Sequence, residues 1–427
     1  MPDGRRHLAL LVLLTLSGAA EGQLLPSSVG GGIGQVTDGV NRLGERVGDT
    51  LSQTGDAASG LIDRLARTRL DRLEGLVRRN PQSLEFDARG DAAVKGELIA
   101  LDVSAAALDA AVAAGFGIME QSEIEGLGIR STRLRAPAGM SLAKAEKQLA
   151  RLAPGTTIQS NPIYQPSGTK SAGPANSLAG NKAGPGAPIG LIDGGVAQHP
   201  ALPATIVQRG FAQGAPAPGQ HGTAIASILV GQGAVRGLSP NSRLLVADIY
   251  GRDPRGGNAL AIARALGWMA ASKVAVVTIS LAGPPNPLLA RAVAAADQRG
   301  VLMVAAVGND GAAAPPAYPA SYPQVISVTG VDGRGRALIE AGKATHLDFA
   351  APGSDLIAAK PGGGTAKVRG TSFAAPFVAG RLARLAASGP LPRARAITML
   401  AAEAGMPKGG QARLYGRGIV CGQCATR

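Results

Sequence analysis

Aromatic residues are scarce, at 3% of 427 positions, so any core has to be assembled from Ala, Val, Leu and Ile rather than from rings. Cysteine is nearly missing. The two present, Cys421 and Cys424, exclude a disulfide-stapled scaffold and fall short of a four-thiolate metal centre. Histidine occurs four times, as His7, His199, His221 and His346, which leaves few positions for imidazole chemistry. No segment approaches the ~20 consecutive apolar residues of a spanning helix, and no EF-hand-like acidic loop is visible. Basic runs are absent as well. The net charge is +14, and from Ala187 onward 23 Lys and Arg face 10 Asp and Glu. These arginines are scattered and not interleaved with aromatics, so they read as a solvated surface and not as a nucleic-acid interface.

Glycine, by contrast, is plentiful, with 61 residues, and points to tight turns and close backbone approaches. At the N-terminus, Arg5 and Arg6 precede the apolar stretch Leu8–Leu16 and the small residues Ser17–Ala20. That pattern predicts an export signal over 1–22, and hence a secreted or periplasmic protein. Segment 23–91 begins Gly- and Ser-rich and ends in an amphipathic helix carrying Leu61, Ile62, Leu65, Leu70, Leu73, Leu76 and Val77, suited to packing on a neighbouring domain.

Residues 92–166 read as strand 96–103, helix 105–114 capped by Ser104, strands 117–124 and 127–135, helix 142–152 capped by Ser141, and strand 156–164. The order β-α-β-β-α-β predicts a small α+β, ferredoxin-like domain. Residues 167–186, mostly Gly, Pro, Ala, Ser and Asn, read as a protease-accessible linker. From 187 to 427 short apolar runs at 187–193, 244–250, 274–282, 301–307 and 324–331 alternate with helical patterns at 221–231, 257–272, 286–299, 371–388 and 392–404. Strands buried on both faces look like this, so the expectation is an α/β, doubly wound and mostly parallel sheet.

A serine becomes a nucleophile only when an imidazole takes its proton and a third group orients that imidazole. His221 opens a small-residue helix in HGTAIASILVG, whereas His199 precedes Pro200 in a turn and His346 sits between elements, both read as structural. Asp193 ends the first buried strand, at the edge where parallel sheets place their chemistry. Ser372, in GTSFAAPFVAG, falls at a helix start, where free N–H groups favour developing negative charge. Asn309, in AAVGND, follows another buried strand and can offer an amide to an oxyanion. Each residue alone has a plainer reading, as an N-cap or a turn former.

Taken together, the boxes HGTAIASILVG, AAVGN and GTSFAAPFVAG, in the chain order Asp193, His221, Ser372, resemble the subtilisin-like serine proteases (subtilases, peptidase family S8) over about 187–420. The resemblance implies a serine endopeptidase with that triad and Asn309 in the oxyanion hole. Ser280, Leu281, Ala282 and Gly283 then stand as the substrate wall. It also implies that 92–166 is an inhibitory prodomain removed on self-processing. Two departures stand out: Gly194-Gly195 follow Asp193 where the family has Ser or Thr and then Gly, and Ala282 stands where it has Gly.

The expected partners are polypeptide substrates and the chain's own prodomain, in a monomer that needs no metal or other cofactor for catalysis. Cys421 and Cys424 are a candidate disulfide. The alternative is a catalytically retired subtilase-fold module that binds peptides without cutting them.

Overall fold

The computed structural model describes residues 64–65, 67–166, 168–170, 177–178, 186–422 and 425–426; the export-signal residues 1–22 and most of the Gly- and Ser-rich stretch that follows lie outside these. The predicted amphipathic helix is present as α1, over 67–79. Leu76 and Val77 in its last turn pack on a small core of Leu84, Val94 and Ile163. Leu70, placed on the apolar face by its spacing, instead turns to solvent at 53% exposure.

Next comes an antiparallel sheet of β1 (Leu84–Phe86), β2 (Ala92–Leu101), β3 (Gly117–Ile124), β4 (Ile129–Arg135) and β5 (Thr157–Pro162), with α2 (Ala105–Ala113) between β2 and β3 and α3 (Leu142–Leu152) between β4 and β5. Strand β2 lies between β4 and β5, β3 lies outside β4, and β1 pairs with the start of β2. Both faces of β2 are apolar, for a physical reason. Leu98 and Ala100 join Leu108, Phe116, Leu134 and Leu149 under the two helices. Ile99 and Leu101 point the other way, into a core shared with the C-terminal region. Ser104 caps α2 as expected, accepting from the Ala107 N–H at 3.3 Å. Ser141 makes no such bond; the Leu142 N–H at the start of α3 donates to the Glu85 carboxylate at 3.3 Å.

The linker 167–186, read from composition as open, and the two residues before it are partly paired. Strand β6 (Gln165–Pro166) pairs with a later strand at Leu281–Ala282, β7 (Thr169–Lys170) with Val368–Arg369, and β8 (Ser177–Leu178) with Ala425–Thr426.

Beyond it lie β9 (Ile189–Asp193), β10 (Val207–Gly210), α4 (Gln220–Val230), β11 (Leu244–Asp248), α5 (Ala259–Ala271), β12 (Val276–Ile279), β13 (Leu281–Ala282), α6 (Pro287–Gln298), β14 (Leu302–Ala306), β15 (Val325–Val331), β16 (Phe349–Pro352), β17 (Leu356–Ala359), β18 (Thr365–Arg369), α7 (Ala375–Leu385), α8 (Arg393–Glu403), α9 (Ala412–Tyr415) and β19 (Ala425–Thr426). Seven of these strands form one sheet in the order β10-β11-β9-β12-β14-β15-β16, with every adjacent pair parallel. Alternate residues of each strand feed opposite cores. Met303 and Ala305 face α5 and α6, while Leu302, Val304 and Ala306 face α4 and α7. This is the double winding that the apolar runs predicted. From β9 the chain runs outward to β10 and β11 on one side, and from β12 outward to β14 on the other, so the sheet's topological switch point lies between the C-terminal ends of β9 and β12.

Candidate active site

Asp193 is the last residue of β9 and is 1% exposed. Its Oδ1 accepts from the Gly194 N–H at 2.7 Å, which fixes the carboxylate's rotation. Helix α4 brings His221 against it, with Nδ1 at 2.8 Å from Oδ2 and 3.0 Å from Oδ1. Gly222 makes this approach possible, since a Cβ there would sit 2.2 Å from the Gly194 carbonyl oxygen. Of the two glycines after Asp193, Gly195 is held by contact, its Cβ position being 2.3 Å from the Ala217 carbonyl oxygen. Gly194 meets nothing closer than Tyr250 at 3.8 Å, so the family's hydroxyl residue is absent there without a steric reason.

Ser372 lies in a short 3₁₀ turn, Thr371–Phe373, directly ahead of α7, so the helix it was expected to start begins three residues later, at Ala375. Pro376 is accommodated in the first turn of α7. The Ser372 hydroxyl is buried and donates to the Ser280 carbonyl at 3.1 Å, while Ser280 Oγ donates back to the Ser372 carbonyl at 3.2 Å. His221 Nε2 is buried and has no hydrogen-bond partner among the described residues. The imidazole ring packs on Phe373, with centroids 5.3 Å apart.

Asn309 follows β14. Its Oδ1 accepts from the Thr371 N–H at 3.0 Å and from Thr371 Oγ1 at 3.1 Å. A backbone N–H can only donate, so the amide oxygen must be the atom on this side, and the NH₂ belongs to the other. Ser280 through Gly283 form a wall opposite, and the extra methyl of Ala282 is 3.2 Å from the Cβ position of Gly308.

The two other described histidines sit away from this cluster. His199 Nδ1 accepts from the Ala201 N–H at 3.0 Å and its Nε2 lies 2.8 Å from the Gly364 carbonyl. His346 Nε2 is 3.0 Å from the Val325 carbonyl and 3.4 Å from Asp348. The Asp348 hydrogen bond pushes the His346 imidazole above its ordinary value. Asp248, the end of β11, spends its carboxylate on the N–H groups of Ala217, Tyr250 and Gly251. Cys421 is disulfide-bonded, and the sequence's other cysteine, Cys424, lies outside the described residues. Among the described residues no group of three or more His, Cys, Asp or Glu is placed to hold a metal.

What sequence reasoning did not single out is how the cleft is filled, by Tyr164 and the residues that follow it. Tyr164 is fully buried, with its N–H donating to the Gly257 carbonyl at 2.7 Å and its hydroxyl to the Pro284 carbonyl at 2.6 Å. Tyr250 donates to the Tyr164 carbonyl at 3.1 Å. Burial pushes both phenols well above their ordinary pKa. From there β6 pairs along the wall with Leu281 and Ala282, and Gly168 passes so close to the catalytic cluster that a Cβ on it would be 3.1 Å from His221 Nε2 and 2.5 Å from Phe373.

A buried carboxylate–imidazole pair and a serine at a helix entrance, all at the carboxyl edge of a doubly wound sheet, define a serine hydrolase. The Subtilase family matches the chain over residues 184–418. Subtilisin BL of Lederbergia lenta is 32% identical over 253 residues, covering 57% of this chain and 92% of its own. The solved structure of a point mutant of the protease domain of PatA is 28% identical, with a TM-score of 0.50 over 60% of this chain and 96% of that one. Fervidolysin from Fervidobacterium pennivorans, described as a keratinolytic enzyme related to subtilisin, is 19% identical and shares the fold with a TM-score of 0.66. That likeness covers 80% of this chain and 62% of fervidolysin. The chain belongs to the subtilase family and is a serine endopeptidase.

Proposed function

We propose that Ser372 is the nucleophile, His221 the general base and then acid, and Asp193 the group that holds the imidazole in its tautomer and stabilises the imidazolium. The Asn309 NH₂ and the Ser372 N–H receive the oxyanion. The Nδ1 bond to Asp193 supports the base assignment, because it leaves Nε2 as the proton acceptor. The Ser372 hydroxyl is bonded to the Ser280 carbonyl in the occupied cleft, and the mechanism requires it to turn to Nε2 once the cleft clears. Ser280–Gly283 bind substrate backbone as an added antiparallel strand. No metal enters this chemistry, and the whole is exported as a monomer.

We further read the chain as a self-processing precursor in which 92–166 inhibits the site. One observation carries this: the chain's own backbone runs through the cleft, paired with the wall at Gln165–Pro166 before the catalytic residues and with β18 at Thr169–Lys170 after them. The bond to be cut then lies between Pro166 and Thr169. The docked segment supports inhibition. The side-chain oxygens of Asn161 and Gln159 accept from the N–H groups of Leu260 and Leu288 at the starts of α5 and α6, at 3.1 and 3.3 Å. Asp102, Glu120 and Glu125 pair with Arg291, Arg264 and Arg209. The retired-module alternative has no observation in its favour.

Intact mass of the wild-type chain and of Ser372→Ala, each made in a protease-free host, tests this. The wild type yields a fragment ending at 166–168, and Ser372→Ala stays whole. A variant that still matures would remove self-processing from the account.

A further inference from the structure

Helix α1 precedes the segment assigned to inhibition, and Arg69 in its first half lies 3.9 Å from Asp91, next to that segment's start. Arg72 donates to Asp310 Oδ1 at 2.7 Å, and Arg69 Nε lies 3.3 Å from Asp310 Oδ2. The two guanidiniums, three residues apart on one helix face, thus share one carboxylate. One turn earlier, Leu65 sits against Gly311, its Cδ1 2.9 Å from the Cβ position there. Asp310 and Gly311 directly follow Asn309. The far end of the same helix packs through Leu76 and Val77 on Leu84, Val94 and Ile163, and Ile163 is the residue before the buried Tyr164. Helix α1 therefore spans from the root of the cleft-filling strand to the loop that carries the oxyanion amide.

We propose that α1 is a second restraint on the precursor, a latch that clamps the Asn309–Gly311 loop through Asp310, and that its release is a step of activation separate from withdrawal of the strand. The inference deepens the precursor reading and rests on it. Two features set the latch's character. Its polar half is a pair of part-exposed ion pairs, with side-chain exposures of 23% and 44% for Arg69 and Arg72 and 25% for Asp310, so it weakens with salt. Its apolar half is small, since between Leu65 and the last turn only Leu73, half-buried, adds an apolar side chain on that face. A contact of this size opens before a segment held by a full sheet and two helix caps.

The test is amide hydrogen exchange over 307–312 in the full-length Ser372→Ala chain, where no cutting intervenes. Arg69→Ala with Arg72→Ala should speed exchange there about three- to tenfold, and 0.5 M salt should move the unaltered latch toward the same rate. Arg78→Ala with Arg79→Ala, on the same helix but in no ion pair among the described residues, should leave it unchanged. Protection of Leu302–Ala306 reports that the fold survives. If it does not survive, the charge swap Asp310→Arg with Arg69→Asp and Arg72→Asp should restore protection. In the active chain, the Arg69/Arg72 variant should shorten the lag before activity appears. Equal exchange in the two arginine pairs, or a swap that restores nothing, overturns the latch. A Ser372→Ala chain that matures would instead overturn self-processing and leave the exchange comparison standing.

Discussion

In the proposed precursor Tyr164 is the anchor of the inhibiting segment, and its removal should release the cleft. The ring is fully buried against Gly283, where a Cβ would already be 2.4 Å from its Cδ1, while Gly257 and Tyr250 hold the Tyr164 backbone. Truncating such a side chain to Ala costs about 3–5 kcal/mol when the surroundings cannot collapse, and a glycine-lined wall backed by strand β13 has little freedom to do so. At about 1.4 kcal/mol per tenfold, the segment should dissociate from the processed complex roughly 10²- to 4 × 10³-fold more readily in Tyr164→Ala. Tyr164→Phe isolates the hydroxyl, whose bond to the Pro284 carbonyl contributes about 0.5–1.5 kcal/mol, a tenfold effect or less. Gly283→Ala should mimic the truncation from the opposite side by displacing the ring. The assay is residual peptidase activity of the processed complex against dilution, which gives the dissociation constant directly. Equal constants for wild type and Tyr164→Ala would mean that the strand does not occupy the cleft in solution.

Asn309→Ala should lower kcat by about 10²–10³ with little change in KM, the scale measured for the like amide in subtilisin and carried over to this relative; steady-state kinetics on a peptide anilide decides it. Asp193→Asn should lower kcat by about 10⁴, as the like change does in a trypsin-type triad, because it favours the wrong imidazole tautomer. Neither Asp248→Asn nor Asp348→Asn should approach that loss in the same assay. The docking of 92–166 should weaken in acid. The Arg291 hydrogen bond lowers the Asp102 carboxyl; burial raises Glu120, but Arg133 within the segment and Arg264 across the interface together lower it, and only the Arg264 share is lost on dissociation. Depressed carboxyls contribute above their unfolded values near ~4 and lose that contribution as pH falls through the folded ones, so the complex's dissociation constant should rise below about pH 4. For His346 the sign is opposite. Its pKa is raised by Asp348, so it stabilises below its unfolded value and loses this as pH climbs through the folded one. The Tm gap between wild type and His346→Gln should accordingly be larger at pH 5.5 than at pH 9.

The parts of this architecture that were legible in the sequence are those written in local pattern. Buried parallel strands are continuous apolar runs, so β9, β11, β14 and β15 stood out within two residues of their ends, and the single run 274–282 took in both β12 and β13. The His221 and Ser372 boxes are small-residue helix starts, and that chemistry is local too. Strand β10, with the sequence VQRG, carries no periodicity, because it is an edge strand whose residues are half-exposed. The pairings of β6 and β7 were invisible because each depends on a partner more than 100 residues away, and the stretch's own Gly and Pro argue for a loop. The scattered arginines hid pairings in the same way. Arg209, Arg264 and Arg291 stay part-exposed, as a solvated surface would have them, yet all three also face carboxylates of the N-terminal segment, an arrangement that only the docked tertiary structure reveals.

The most direct test of the central claim is labelling of the processed enzyme with a fluorophosphonate, followed by peptide mapping. The account predicts one adduct per chain, on Ser372, with none on Ser372→Ala and almost none while Tyr164 and its strand remain in the cleft. An adduct on any other serine, or a processed and folded enzyme that takes no label, would contradict it.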